Sequence, residues 1–90
     1  MEKKQFEMTL QDTVENMISK DYKKRLIAEY QQCEIRFNRL IDVMNRYGRG
    51  YNSSESGDID ISLLRKQADI MRAYMFILLK RAVKEGIDLL

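Results

Sequence analysis

Met75-Phe76-Ile77-Leu78-Leu79 is the run whose reading decides the fold. It lies inside a segment with helical periodicity, yet it is apolar on every side. A helix on the surface of a small monomer needs a single apolar stripe facing its core. This segment carries two, so the second must be covered by another element or by another copy of the chain.

Working outward, Ile61, Leu64, Ala68, Met71, Met75, Leu78 and Ala82 recur at steps of three and four, the spacing of a helix seam. Asp60 or Ser62 suits the N-cap, and Lys80, Arg81 and Lys84 put positive charge where the helix dipole favours it. Gly86 is a stop in the left-handed region, with Ile87 placed to fold back on the last turn. The spacing therefore predicts a helix over 60–85. Upstream, Tyr22, Leu26, Tyr30, Cys33, Phe37, Leu40, Met44 and Tyr47 form a matching seam, which predicts a helix over 20–47. Ser19 or Asp21 would cap it, and Gly48 would end it. Thr9 followed by Asp12 has the spacing of a capping box, and Leu10, Val14, Met17 and Ile18 share one face of a short helix over 9–18. Residues 48–59 form the connecting loop.

The fold class is all-α: a long antiparallel helical hairpin with a short N-terminal helix, in a single domain over 1–90. Two sets of apolar residues remain unplaced. Ile27 and Ile41 lie off the first seam, and Leu63, Ile70 and Ile77 form a second line at sevenfold spacing on the last helix. Burying each such side chain is worth about 1.5–3 kcal/mol, and the sum approaches the ~5–15 kcal/mol net stability of a whole domain. The short helix is too small to cover them all. The expectation is a homo-oligomeric helical bundle with a dimer as its smallest unit. A monomeric three-helix bundle is the alternative.

Composition narrows the class. The chain has 90 residues, no proline, 33% charged residues and a net charge of +2, so it is one small domain whose helices can run uninterrupted. Its single cysteine, Cys33, excludes an intrachain disulfide and fits a reducing cytosol. No apolar run is long enough to span a bilayer, and Met1 to Met8 carries Glu2 and Glu7 without a signal-type apolar stretch. A cytoplasmic protein with no membrane partner is expected.

Catalytic equipment is missing. Without histidine the chain lacks the commonest general base and neutral metal ligand. Cys33 sits on a seam and reads as a small hydrophobe. No carboxylates have the spacing of an acid/base pair or a metal site. Glu55, Asp58 and Asp60 lack the alternating ligands and terminal glutamate of a calcium loop. No enzyme, catalytic residue, metal or cofactor is expected. In the loop, Arg49, Ser53 and Ser54 among glycines could cradle a phosphate, or the segment is simply solvated. Gly48-Arg49-Gly50 matches neither a Walker loop nor a dinucleotide fingerprint.

Arginine placement is more specific. At 100° per residue, Arg36, Arg39 and Arg46 fall within about 80° of one another beside the first seam. Lys20 to Tyr51 holds eight basic residues against four acidic ones, an excess of four. Gln67, Tyr74 and Arg81 recur every seven residues along the other seam. A guanidinium for phosphate, a ring for stacking and an amide for a base edge are what a nucleotide requires. The candidate ligand set is Tyr30, Arg36, Arg39, Gln67, Tyr74 and Arg81. Interhelical salt bridging at coiled-coil flanks explains the same pattern, and spacing alone favours that plainer reading.

These residues carry a resemblance. Thr9 to Val14, Asp21-Tyr22-Lys23, Ala28-Glu29-Tyr30, Ile35-Arg36-Phe37, Leu63-Leu64, Gln67, Met71, Tyr74, Arg81-Ala82 and Glu85 to Leu89 are similar to a widespread family of small phage and prophage proteins related to a crAss-like phage protein. Arg49 to Gly57 departs from that pattern. The resemblance implies a phage-encoded early protein, helical and oligomeric, made in the cytoplasm of an infected bacterium. By analogy of build, it implies an anti-defence sponge that sequesters a nucleotide immune signal, a cyclic dinucleotide or an ADP-ribose derivative, without cleaving it. The alternative is a protein-binding inhibitor or adaptor that docks Leu63, Ile70 and Ile77 on a host defence or nucleic-acid-processing protein. A nucleic acid polymer is not an expected partner, because the basic excess is modest and Asp58, Asp60 and Asp69 offset it.

Overall fold

A computed structural model describes residues 8–47 and 60–89. Among these residues every regular element is helical. A 3-10 turn, Leu10–Thr13, runs into a single α turn, α1, Val14–Met17; two long helices follow, α2, Tyr22–Tyr47, and α3, Ile61–Glu85. Arg49, Ser53, Ser54 and the Gly48 stop lie outside the described residues, so the phosphate-loop reading does too.

Local chemistry explains each boundary. The Asp12 carboxylate accepts hydrogen bonds from the Thr9 backbone N–H at 2.9 Å and from its hydroxyl at 3.2 Å, which starts the 3-10 turn. Thr13 is completely buried; its hydroxyl donates to the Leu10 carbonyl at 2.7 Å and accepts from the Gln32 amide at 2.8 Å. That pair ties the N-terminal stretch to α2. The helix ends at Met17, so Ile18 falls off the face predicted for it and is 70% exposed. Asp21 caps α2, accepting the Lys23 backbone N–H at 2.9 Å, and Asp60 caps α3, accepting from Ser62 and Leu63. At the far end Gly86 has φ 72°, and the Ile87 N–H donates to the Ala82 carbonyl at 2.8 Å. This 6→1 bond is a Schellman stop, and it folds Ile87 back into the core.

α2 and α3 pack antiparallel over a core of Leu26, Tyr30, Leu78, Ala82 and Ile87, with Ile27, Met75, Leu79 and Leu89 against it. Ile27, unplaced by the seam pattern, thus joins the core margin. Further along, Phe37, Leu40, Met44, Ile61 and Leu64 are only half-buried. Leu78 of the deciding run is fully buried, while Phe76 and Ile77 on its other side are 57% and 54% exposed. Among the described residues the N-terminal stretch packs on α2 and not on α3. Leu63, Ile70 and Ile77 therefore stay in solvent in the single chain.

Candidate ligand-binding groove

One flank of the hairpin is a polar ladder. Tyr22, Glu29 and Arg36 on α2 face Arg81, Tyr74 and Gln67 on α3, each step of seven residues along one helix matching seven in the opposite direction along the other. Sevenfold spacing keeps residues of a helix on almost the same side, so two such rows meet along the whole interface. The first rung is closed: Arg81 Nη2 donates to the Tyr22 hydroxyl at 2.5 Å. The second is closed as well, with the Tyr74 hydroxyl donating to the Glu29 carboxylate. The third is open. Arg36 and Gln67 line a groove of about 340 Å³ with Glu29, Gln32, Cys33, Met71 and Tyr74. Among the described residues no carboxylate lies within ion-pair distance of Arg36, and Gln67 has only the weak acceptor Met71 Sδ at 3.8 Å.

The electrostatics are bipolar. Arg36 offers a planar set of donors at one end of the groove. Glu29 is the acceptor at the other, held by Tyr74 and within the field of Arg81. The hydrogen bond to Tyr22 holds the Arg81 guanidinium still more firmly in its charged form, with a further contribution from the field of the Tyr22 oxygen. Burial pushes the Cys33 thiol up; Arg36 opposes this and Glu29 adds to it. Cys33 is therefore a protonated, weakly polar wall of the groove and not an activated thiolate. Met71 supplies a polarizable floor.

The six residues singled out from sequence separate. Arg36, Gln67 and Tyr74 come together in the groove, and Arg81 stands two rungs along the same ladder. Tyr30 is in the hydrophobic core, 5% exposed, its phenol pushed up by burial with smaller contributions from Glu34 and Cys33. Arg39 lines a different depression, about 500 Å³, with Met8, Thr9, Glu34, Ile35, Asn38 and Asp42. It sits 60° from Arg36 around the helix, far enough to leave the seam flank for the side bordered by the N-terminal stretch. Glu29, Gln32 and Tyr22 were not singled out, although Tyr22-Glu29-Arg36 has the same sevenfold spacing as Gln67-Tyr74-Arg81. Pairing the two rows would have found Tyr22 and Glu29; Gln32 lies off both rows.

No helix among the described residues is long and apolar enough to cross a membrane. A family model described as Sequestin matches residues 20–84, the whole of α2 and all but the last residue of α3. No curated protein and no solved structure matches the chain.

Proposed function

The chain belongs to the Sequestin family, and from that premise we propose that it binds and sequesters a small nucleotide signal, a cyclic dinucleotide or an ADP-ribose derivative. The observation that carries this reading is the open third rung, where Arg36, with no carboxylate in ion-pair distance among the described residues, stands beside Gln67 and Tyr74. A nucleotide is bipolar in the same sense as the groove. Its phosphate pairs with Arg36, its exocyclic amine or ribose hydroxyl donates to Glu29, and Gln67 reads a polar edge. The ring of Tyr74 and the Met71 thioether cover an apolar face. Arg81 holds Tyr22 and adds to the positive field along the ladder. Tyr30 supports the groove from the core, and Arg39 contributes charge outside it.

Binding without turnover is part of the proposal. The sequence has no histidine, and its one thiol is held protonated. The family name denotes sequestering, which needs capture and nothing more. The resemblance to phage proteins gives the setting: the cytoplasm of an infected bacterium, where removing the signal silences a defence pathway. A groove of about 340 Å³ on one hairpin lies at the small end of ligand sites, so association of copies around it is the means of enclosing the ligand.

Calorimetry against cyclic dinucleotides and cyclic ADP-ribose isomers tests the reading, with the ligand recovered by denaturation. Submicromolar binding of one class, and recovery of that ligand intact, is the expected result. Arg36→Ala removes a charge-assisted contact and weakens binding by about 10- to 100-fold. If nothing in the panel binds tighter than micromolar, or if the ligand comes back cleaved, the proposal is wrong.

A further inference from the structure

Leu63, Ile70 and Ile77 are 57%, 69% and 54% exposed, a continuous apolar row on α3 that no described element covers. The row adjoins the groove. Gln67, Tyr74 and Arg81 lie four residues beyond each member, about 40° further around the helix, so whatever covers the first row also reaches the second.

We propose that a second copy of the chain covers this row, its α3 running antiparallel across a two-fold axis near Ile70. Leu63 then packs on the second copy's Ile77, and Ile70 on the second copy's Ile70. A two-fold axis of this kind keeps like flanks on the same side, so the two ladders meet edge to edge. Gln67 comes beside the second copy's Tyr74, and Tyr74 beside the second copy's Gln67. Each groove gains polar side chains from the other copy along its open rim, and neither is complete alone.

Charge selects the occupant and the direction. The same register sets Asp60 at the start of α3 level with the second copy's Lys80 and one residue from its Arg81, opposite charges at each end of the row. A parallel pair would instead leave Asp60 at the opposite end of α3 from the second copy's Arg81, so this opposite-charge contact could not form. The sevenfold repeat also fits a second helix, which returns to the same face at that interval. This interface stands whether or not the groove takes a nucleotide.

Sedimentation and cysteine cross-linking of the full chain test it. The wild type runs at twice the 10.7 kDa chain mass, or an even multiple of it. Ile70→Asp lowers that assembly, and because Ile70 is solvent-facing the helical circular dichroism is retained; Ile70→Ser provides a milder second variant. In a Cys33→Ser background, Ile70→Cys oxidises to a covalent dimer, Leu63→Cys mixed with Ile77→Cys does the same, and Leu63→Cys alone does not. A monomeric wild type at micromolar concentration overturns the proposal, as does cross-linking of Leu63→Cys by itself. A row that instead captures a host protein on a single copy of the chain overturns it equally. Arg36→Ala separates this from the ligand reading: it stays assembled while losing ligand.

Discussion

Between Tyr22 and Cys33, α2 meets α3 through Leu26, Tyr30, Leu78 and Ala82, all buried, and Ile87 closes that end from below. Between Arg36 and Tyr47 the same two helices meet through Phe37, Leu40, Met44, Ile61 and Leu64, all half-covered. Both regions have seam residues at helical spacing. The difference lies in what surrounds the seam. At the closed end Ala82 is small enough to admit its bulky neighbours, and a glycine-dependent stop returns Ile87 to the interior. At the open end no described element lies over the seam, and Arg72 stacks on Phe37 at 5.4 Å from the rim. The groove occupies the boundary, from Cys33 and Arg36 to Gln67 and Tyr74. Close packing is concentrated in one half of the hairpin, and the open stretch of the polar flank begins where that packing stops.

The strongest way to break this comparison is at Leu78, which has no exposed surface. Leu78→Ala is expected to cost about 3 kcal/mol in denaturant melts, within the ~2–5 kcal/mol range of buried leucine truncations. Leu40→Ala, at the open end, is expected to cost less than ~1.5 kcal/mol because its side chain is half-solvated already. Equal losses at the two sites would show that the ends are equally packed.

Gly86→Ala sharpens the account of how the closed end is shut. A Cβ there would meet nothing within 4 Å, so the cost comes solely from the positive φ of 72°. Thermal melts should show a loss of about 1 kcal/mol. A neutral result would mean that Ile87 reaches the core without the left-handed stop.

The smallest effect belongs to the start of α3. The Ser62 hydroxyl, foremost, and the Leu63 and Ser62 backbone N–H groups hold the Asp60 carboxyl below the usual aspartate range. Its folded-state pKa is depressed, so its stabilisation is complete above the ordinary aspartate pKa and is lost as pH falls through the folded value. Helicity followed from pH 5 downward should therefore show an acid-side decline that Asp60→Asn, which caps without titrating, reduces. Identical curves for the two proteins would remove Asp60 as the source.

Much of the hairpin was legible. Seam spacing, Asp60, Gly86 and Ile87 each act locally, within a turn or two of chain, and local chemistry can be read in order. The N-terminal stretch was less so, because its tight turn depends on Thr13 reaching Gln32, 19 residues away. The site was partly legible for the same reason. Gln67, Tyr74 and Arg81 were visible as a row, but a row does not name its opposite. Tyr30 and Arg36 share the flavour of a ligand set in sequence, yet one is core and the other is rim.

Helical periodicity, caps and the absence of histidine follow from residue identity, because each depends on backbone geometry or side-chain chemistry that is the same in any context. The sequence by itself therefore determined that this protein is a helical hairpin with a surplus apolar row. Which rung of the ladder stays open was decided only in three dimensions. Register between two helices depends on how Leu26, Leu78 and Ala82 interlock, and that packing sets Tyr22 on Arg81 and Glu29 on Tyr74 while leaving Arg36 without an ion-paired carboxylate among the described residues.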